Sequence, residues 1–225
     1  GLRLCLLGCG AMARRHARTL RALGGVELRF ASRERERAEA FGREFGGVGG
    51  FAGYEEGCVS PLVDAVIDCT PHALHLANAR LAASHGKHLL IEKPVTRNLA
   101  ELDAMIEAVN AAGVIAMVAE NYFFKPMVRV FRELVASGDV GRPVLLELNR
   151  TNRSSTRGWR ADAAMMGGGA LLEGGVHWIN YLISLAGSEV REVLAVRPSV
   201  PYPAAAPFED TLEVVVKFVD GAFGK

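Results

Sequence analysis

One segment of the chain indicates its fold most strongly: His88-Leu89-Leu90-Ile91-Glu92-Lys93-Pro94-Val95. The three aliphatic residues Leu89–Ile91 predict a strand buried on both faces, as in the middle of a parallel sheet. The apolar run stops at Glu92 and Lys93, and Pro94 has no N–H for further strand pairing. Polar residues at the carboxyl end of such a strand face the crevice where open α/β sheets bind ligands. Alone, Glu92-Lys93-Pro94 is equally compatible with a solvated strand end, so the flanking sequence must decide.

The composition is that of an ordinary soluble globular enzyme of one large or two modest domains. Half of the 225 residues are hydrophobic, 23% are charged, and the formal net charge is +1. This charge gives no case for binding nucleic acid or an anionic membrane surface. No apolar run approaches the length that spans a bilayer. The four cysteines form no C-x-x-C pair, which favours packing roles and a reducing cytoplasm.

The two ends of the sequence predict a chain that is cut short. It opens directly on a strand without Met, and it closes at Gly224-Lys225 just after a strand and a turn. We therefore expect trimming in front and an incomplete last domain. A signal peptide would be invisible in such a chain.

A dinucleotide-binding motif stands near the amino terminus. A short apolar strand, Leu2–Leu7, leads into Gly8-Cys9-Gly10-Ala11-Met12-Ala13 and a helix to about Leu23, and a second strand follows at Val26–Ala31. In this G-x-G-x-x-A pattern the first glycine permits a tight turn, the second lets the backbone approach a pyrophosphate, and the small alanine lets the helix pack closely. The phosphates would bind free N–H groups at the positive end of the helix. The predicted cofactor contacts here are Gly8, Gly10, Ala11, Met12 and Ala13.

The end of the second strand indicates which dinucleotide binds. An Asp or Glu there would hold the 2′-hydroxyl of NAD, but this chain has Ser32-Arg33. A hydroxyl and a guanidinium suit a 2′-phosphate, which favours NADP over NAD. The alternative is a helix N-cap serine followed by one of several surface arginines, such as Arg35 and Arg37.

A further strand, Leu62–Cys69, ends at Thr70-Pro71-His72, and Pro71 predicts the start of a helix through His85 that Gly86 closes. Thr70, Pro71 and His72 are therefore expected beside the cofactor. His75, on the same helix, is a further candidate for that contact, with an ordinary surface position as the simpler interpretation. The two histidines could share a face, but no carboxylate or cysteine cluster accompanies them, and no metal site is predicted.

The alternation of strands and helices continues to residue 122 and then changes. Asn98–Ala112 is an amphipathic helix. Counting a weak third strand in the loop Gly46–Gly53, Ile115–Ala119 is a sixth strand, and it ends at Glu120-Asn121-Tyr122. This pattern predicts a doubly wound parallel sheet of the Rossmann type over residues 1–122. Residues 123–225 predict an α+β domain with a mostly antiparallel open sheet. Its expected elements are a helix at Pro126–Ala136 and strands at Val144–Arg150, Glu189–Val196 and Thr211–Val219.

A second cluster of polar residues lies in this later half. An arginine-rich loop, Arg150–Arg160, ends in Gly158-Trp159-Arg160, and a glycine-rich segment then leads to His177. If the chain is helical from about Ala170, Glu173 and His177 are four residues apart and share a face. A carboxylate that fixes one ring nitrogen of a histidine prepares the other to move a proton. The alternative is a helix-face ion pair beside a glycine hinge.

Five motifs in this order resemble the glucose–fructose oxidoreductase and inositol dehydrogenase (Gfo/Idh/MocA) family of NAD(P)-dependent dehydrogenases. They are the G-x-G-x-x-A turn, Thr70-Pro71-His72, Glu92-Lys93-Pro94, Glu120-Asn121-Tyr122 and the Gly-Gly-Gly-x-Leu…Gly-x-His segment that ends at His177. The resemblance covers essentially the whole chain. It implies a Rossmann domain followed by a substrate domain whose open sheet carries homo-oligomer contacts, in a dimer or tetramer.

The resemblance also implies roles for particular residues. Lys93 would meet both cofactor and substrate, and His177 would be the proton-transfer residue. The family usually has Asp where this chain has Glu173, so the role of Glu173 is open. The family often has Arg where this chain has Phe123, so a substrate contact at position 123 is open too. Further expected cofactor contacts are Glu92 and Asn121. The expected substrate contacts are Lys93, Tyr122, Trp159, Arg160, Glu173 and His177, with Lys93, His177 and Glu173 as catalytic candidates.

Three functions fit these motifs. The first is hydride transfer between a nicotinamide cofactor and a secondary alcohol or ketone of a sugar, cyclitol or related polyol. The second keeps the cofactor for redox-neutral glycoside cleavage, and the third is a non-catalytic NADP-binding sensor. The presence of both Lys93 and His177 favours an enzyme. The sequence leaves the particular substrate open.

Overall fold

The computed structural model describes residues 1–151, 157–198 and 208–225. The chain forms two compact units, Gly1–Ala119 and Glu120–Lys225. The division falls three residues before the expected 122/123 boundary. Part of the predicted arginine-rich loop, residues 152–156, lies outside the described residues, as do residues 199–207.

The first unit is built on a six-stranded sheet in which every strand pair is parallel. The strands are β1 (Leu2–Leu7), β2 (Val26–Ser32), β3 (Gly49–Ala52), β4 (Ala65–Asp68), β5 (His88–Ile91) and β6 (Ala116–Val118). Their order is β3-β2-β1-β4-β5-β6, so the connections change direction after β3. The prediction of a doubly wound Rossmann sheet is confirmed. The strand predicted at Leu62–Cys69 is shorter, because the Leu62 and Val63 N–H groups bond back to Ser60 in a turn before β4 begins.

Five helices cover the two faces of this sheet. They are α1 (Ala11–Leu23), α2 (Arg35–Phe45), α3 (Tyr54–Val59), α4 (His75–Ser84) and α5 (Leu99–Ala112). Alternate residues of β1 enter different core layers: Leu4 and Leu6 pack with α1 and α2, while Cys5 and Leu7 pack with α3, α4 and α5. This period of two is what a strand between two helical layers requires.

The strand that carries the Glu92-Lys93-Pro94 turn is an interior strand, as predicted. β5 lies fifth in the sheet, between β4 and β6. Leu89 and Ile91 belong to the core layer with α4 and α5, and Leu90 packs against the opposite layer. The apolar residues of β5 therefore pack on both faces of the sheet, and the polar residues Glu92 and Lys93 follow at its carboxyl edge.

The cysteines pack in the first unit as free thiols. Cys5, Cys9 and Cys58 are buried. Burial raises the pKa of the Cys9 thiol to about 11 and that of the Cys58 thiol to about 12. Both thiols are therefore protonated at neutral pH, which suits the predicted packing role.

The second unit is an α+β arrangement on a four-stranded sheet. Its helices are α6 (Pro126–Ser137), α7 (Ala163–Met166) and α8 (Val176–Ala186), and its strands are β7 (Leu145–Leu146), β8 (Val190–Val196), β9 (Glu213–Phe218) and β10 (Phe223–Gly224). The strand order is β7-β10-β9-β8. The β8–β9 and β9–β10 pairs are antiparallel and only β7–β10 is parallel, so the predicted mostly antiparallel sheet is confirmed. The strand predicted at Val144–Arg150 is reduced to two residues.

Short non-α turns stand where the functional motifs were predicted. Three are 3₁₀ turns, at His72–Leu74, Asn121–Phe124 and Gly158–Ala161, and Leu171–Gly175 is a π-helical turn. The helix predicted to begin at Pro71 thus opens with a 3₁₀ turn, and the one predicted from about Ala170 opens with a π turn. Within the described residues, no helix has the length and apolar character that crossing a membrane requires.

Candidate active site

The glycine turn after β1 has the shape that a dinucleotide needs. Gly8 has φ +91°, and a Cβ there would lie 3.0 Å from the Cys69 carbonyl oxygen, so the protein itself requires glycine. Gly10 differs: its φ is −104°, and a Cβ would meet nothing within 4 Å. The open space at Gly10 is therefore free for a ligand to approach the backbone. The first turn of α1 carries no acidic residue, so its N–H groups can bind phosphate.

Arginines surround the outer side of this turn. The Arg37 guanidinium donates hydrogen bonds of 3.2 and 2.9 Å to the Cys9 carbonyl oxygen. Beside it lies a cavity of about 410 Å³. The cavity is lined by Cys9, Gly10, Ala11, Arg14, Arg15, Arg18, Arg37 and Phe41. This side of the cofactor turn therefore carries four cationic side chains and suits a polyanion.

The Ser32-Arg33 pair stands at the end of β2 as predicted, with two different environments. Ser32 is buried, and its hydroxyl accepts a 3.4 Å hydrogen bond from the Glu34 N–H. Arg33 is exposed. Burial raises the pKa of the nearby Tyr54 phenol, and the charges of Arg33 and Arg37 counteract that rise. Both guanidiniums thus act on the same phenol beside the cofactor turn.

The end of β4 is held by a buried hydrogen-bond network. The Asp68 Oδ1 accepts from the Thr70 N–H at 2.9 Å and from the Thr70 hydroxyl at 2.6 Å. The Asn78 amide donates to Asp68 Oδ2 at 3.0 Å and to the Thr70 hydroxyl oxygen at 3.1 Å. All three residues are buried. The network fixes the backbone of the Thr70-Pro71-His72 strand end, and the contact of these residues with cofactor stays a prediction.

His75 is not at the surface, so that part of the prediction is wrong. Its side chain is 0% exposed. One ring nitrogen lies 3.0 Å from the Pro94 carbonyl oxygen and the other lies 3.0 Å from the Thr70 carbonyl oxygen. Both nitrogens are thus directed at the backbone rather than at a cofactor. His75 instead links the turn after β4 to the turn after β5.

A second histidine, His16, contacts the same turn from the other side. Its Nε2 lies 2.7 Å from Glu92 Oε1, and Glu92 Oε2 accepts a 3.2 Å hydrogen bond from the Lys93 N–H. The Lys93–Pro94 peptide bond is cis. Sequence reasoning missed His16. The available signal was its position on α1 beside the buried Ala13 and Ala17, on the side that packs against the sheet.

In the second unit, His177 is buried and paired with a carboxylate. Its Nδ1 lies 2.7 Å from both Oε1 and Oε2 of Glu120. Glu120 Oε1 also accepts a 2.8 Å hydrogen bond from the Tyr122 N–H, as the cap of the 3₁₀ turn Asn121–Phe124. The carboxylate is therefore held by the backbone while it holds the imidazole. Sequence reasoning quoted Glu120 as part of a motif but gave it no role.

Aromatic rings complete the surroundings of His177. The Tyr122 ring stacks on the imidazole with centroids 4.2 Å apart and planes 6° apart. Trp178 meets the Tyr122 ring edge to face at 5.5 Å. The Lys125 ammonium lies 3.1 Å from the Tyr122 ring centroid. Tyr122, predicted as a substrate contact, thus also fixes the plane of the imidazole.

The expected contact between Glu173 and the His177 ring is wrong. Glu173 Oε1 instead accepts a 2.8 Å hydrogen bond from Arg160 Nε. The physical reason is that both groups have other partners: the Arg160 guanidinium binds the Glu173 carboxylate, and Glu120 lies at His177 Nδ1. Arg160 also lies over the Trp159 ring, with its guanidinium carbon 4.3 Å from the ring centroid. Trp159, Arg160 and Glu173 therefore form a second polar cluster.

Two further sequence expectations concern Phe123 and the pair His72 and His75. At position 123, where the family often has Arg, the Phe123 ring lies 4.1 Å from the Arg132 guanidinium carbon. His72 and His75 have ring centroids 5.9 Å apart. Across the described ranges, no group of three or more His, Cys, Asp or Glu residues could hold a metal ion.

The parallel sheet, the open glycine turn and the polar strand ends define a dinucleotide-binding protein of the Rossmann class. Residues 2–120 match the family described as an oxidoreductase family with an NAD-binding Rossmann fold, and residues 128–225 match the GFO/IDH/MocA C-terminal domain. The chain belongs to the Gfo/Idh/MocA oxidoreductase family. The resemblance carried by the five motifs is thus confirmed.

Several relatives with assigned names are dehydrogenases or oxidoreductases of polyols and sugars. Myo-inositol 2-dehydrogenase of Thermotoga maritima is 28% identical over 229 aligned residues, covering 99% of this chain and 67% of the relative. An NADP-dependent scyllo-inositol 2-dehydrogenase of Bacillus subtilis is 40% identical over 103 residues, covering 46% of this chain and 30% of the relative. The aldose–aldose oxidoreductase of Caulobacter crescentus, crystallised with glycerol, superimposes with a TM-score of 0.85 at 28% identity, covering 99% of this chain and 69% of that one.

The chain spans only part of the length of its curated relatives. The covered share of three of them is 47%, 59% and 67%.

The buried His75, which lies between the Thr70 and Pro94 carbonyl oxygens, leads to a stability prediction. Replacing His75 with Ala removes the ring N–H that donates to one of the two buried carbonyl oxygens, Thr70 or Pro94, so we expect the free energy of unfolding to fall by about 1–3 kcal/mol. Urea titration followed by circular dichroism measures this change. His85→Ala is the matched control, because His85 is exposed on the end of the same helix and its loss should cost at most about 0.5 kcal/mol. Equal urea midpoints for His75→Ala and wild type would contradict a stabilising role of His75.

Proposed function

We propose that the protein is an NAD(P)-dependent oxidoreductase, with NADP favoured, that transfers a hydride to or from a secondary alcohol or ketone of a sugar, cyclitol or related polyol. The observation that carries this proposal is the buried His177, whose Nδ1 is held by a carboxylate in a chain that also contains a dinucleotide turn. A histidine held in this way is suited to take and return the proton of a hydroxyl group.

The preference for NADP is supported by charge at the cofactor turn. β2 ends in Ser32-Arg33 rather than in an acidic residue, and Arg37 is bonded to the glycine turn itself. A guanidinium pairs two phosphate oxygens at once, whereas a carboxylate would repel them. The NADP-dependent scyllo-inositol dehydrogenase among the relatives agrees with this direction.

In the proposed reaction, the nicotinamide cofactor supplies or accepts the hydride when bound. His177 takes the hydroxyl proton on Nε2 during oxidation and returns it during reduction. The Lys93 ammonium stabilises the negative charge that develops on the reacting oxygen. Its turn is held by His16 through Glu92 and by His75 through the Pro94 carbonyl, which limits the movement of the backbone that carries Lys93.

The remaining predicted contacts suit a polyhydroxylated substrate. Arg160 and Glu173 offer a paired donor and acceptor, the Trp159 ring offers a flat surface for the apolar face of a sugar, and Tyr122 offers its hydroxyl group. We also propose a homo-oligomer that uses the open sheet, since every residue of β8 is exposed, including Val193, Leu194 and Val196. The free cysteines support a reducing, cytoplasmic setting.

A substrate panel tests the proposed function directly. Purified protein is mixed with NADPH and a set of ketoses and inososes, and with NADP and the matching polyols, while cofactor absorbance is followed. We expect turnover with at least one member of the panel. A parallel set of glycosides separates redox-neutral cleavage, which would release an aglycone without net change in NADPH. Tight NADPH binding without turnover of any compound would contradict the proposal and favour a sensor.

Arg33 provides the prediction for cofactor choice. Arg33→Ala should weaken NADPH binding by about 1.5–3 kcal/mol, the value of a charge-assisted hydrogen bond, and should change NADH binding little. Isothermal titration with both cofactors measures the two affinities. Arg35→Ala is the control, because Arg35 is directed at the Gly50 carbonyl and Glu56. Equal losses for NADPH and NADH would contradict the assignment of Arg33.

Lys93 and His177 provide the prediction for catalysis. Lys93→Met removes the positive charge assigned to the reacting oxygen, so kcat should fall by about 10²-fold or more. His177→Ala should lower kcat by roughly 10²–10⁴-fold with much smaller effects on cofactor affinity. Steady-state kinetics with the best substrate of the panel, and NADPH titration of each variant, separate the two effects. Undiminished turnover in His177→Ala would show that His177 belongs to the fold rather than to the chemistry.

A further inference from the structure

Glu120 is placed to control the His177 ring more directly than any other acidic group in the described residues. Both of its oxygens lie 2.7 Å from His177 Nδ1. The side chains of the two residues are only 10% and 18% exposed, so solvent screens their interaction little. Glu120 Oε1 is in turn fixed by the Tyr122 N–H. The imidazole therefore has a carboxylate partner whose own position is set by the backbone.

The other charged groups near the ring act on it from a greater distance. Tyr122 covers one face of the imidazole, and the Lys125 ammonium lies on the opposite face of the Tyr122 ring, since the stacked imidazole occupies the near one. The Arg150 guanidinium lies 3.4 Å from the Tyr122 hydroxyl and over the Trp178 ring. These cations contact aromatic groups and not a ring nitrogen of His177.

The preceding turn holds a second ion pair. Arg160 and Glu173 pair with each other at 2.8 Å. Glu173 stands at the position where the family usually has Asp, yet its carboxylate accepts from the Arg160 guanidinium. Among the described residues, the carboxylate in contact with His177 Nδ1 is that of Glu120.

We propose that Glu120 is the positioning residue of the proton-transfer histidine, an inference that rests on the proposed function. With Nδ1–H donated to the carboxylate, the neutral ring carries its lone pair on Nε2. During oxidation, the proton of the substrate hydroxyl moves to Nε2, and the imidazolium that results is stabilised by the ionised Glu120. Glu120 keeps its charge throughout and exchanges no proton with substrate.

The hydrogen bond from the Tyr122 N–H makes the Glu120→Gln variant unusually informative. That N–H needs an oxygen acceptor, so the amide oxygen should stay at the Oε1 position and the amide NH₂ should occupy the Oε2 position. The NH₂ group would then donate to His177 Nδ1. This contact reverses the tautomer: the ring proton moves to Nε2, where it blocks proton uptake from substrate.

The test is a long-range proton–nitrogen NMR spectrum of the histidine rings in cofactor-free protein at neutral pH. The His177 signals are assigned by their loss in His177→Gln. We expect the Nδ1–H tautomer in wild type and in Glu120→Asp, and the Nε2–H tautomer in Glu120→Gln. Glu133→Gln is the matched control, since Glu133 is an exposed carboxylate on α6 paired with Arg129, and its spectrum should equal that of wild type. An Nε2–H tautomer in wild type, which would leave Nδ1 without a proton for the Glu120 carboxylate, would overturn the proposal.

Kinetics provide a second readout. With the best substrate of the panel, kcat of Glu120→Gln should fall by about 10²–10⁴-fold with a small change in KM, and Glu120→Asp should recover part of that loss. If Glu120→Gln does not fold, the tautomer of wild type still decides the question, because an Nε2–H tautomer would leave no N–H for the Glu120 carboxylate and would overturn the proposal. Because the NMR measurement needs no substrate, a reversed tautomer in a protein without turnover would support the positioning role and reject the proposed reaction. Full activity in Glu120→Gln would overturn the positioning role and leave the proposed function standing.

Discussion

The geometry at the ligand-binding edge of the first unit depends on the parallel pairing of β4 with β5. This pairing runs from Ala65 and His88 to Asp68 and Ile91, so both strands end at the same level. Thr70-Pro71-His72 and Glu92-Lys93-Pro94 must then emerge side by side, as parallel strands always release their carboxyl ends on one edge. His75 reinforces the arrangement, because it joins the Thr70 and Pro94 carbonyl groups inside the protein. Because the turn is held from both sides, the backbone of Lys93 is fixed, and its ammonium group is suited to stabilise negative charge that develops on a reacting oxygen.

Signals that depend on neighbours in the chain could be predicted from the sequence. The open turn at Gly10, the interior strand Leu89–Ile91 and the change from parallel to mostly antiparallel pairing near residue 120 all follow from patterns over a few residues. Hydrophobic periodicity and turn residues reflect the backbone geometry of a single element, so they can be recognised in a short stretch of sequence. Because the five family motifs are local patterns too, the family could be recognised from them.

Contacts between distant residues could not be predicted in the same way. Glu120 and His177 are 57 residues apart, and His16 and Glu92 are 76 apart, so no local period relates them. The one local rule that was applied, the i and i+4 pairing of Glu173 with His177, failed because the distant Arg160 binds the Glu173 carboxylate. The surface position predicted for His75 was wrong for a related reason. Histidine is buried in some proteins and exposed in others, and only the fold shows that a carbonyl oxygen lies beside each of its ring nitrogens.

We propose that this chain moves a hydride between a nicotinamide and a polyol carbon, and that His177 takes or returns the hydroxyl proton. Deuterium transfer tests it most directly. NADPH labelled with deuterium at the reactive C4 position is incubated with the protein and the ketose and inosose panel, and the products are examined by mass spectrometry and NMR. The account predicts one deuterium on the former carbonyl carbon of a product, with the new hydroxyl proton derived from solvent. Oxidation of the labelled NADPH with no deuterium on carbon in any product would contradict it.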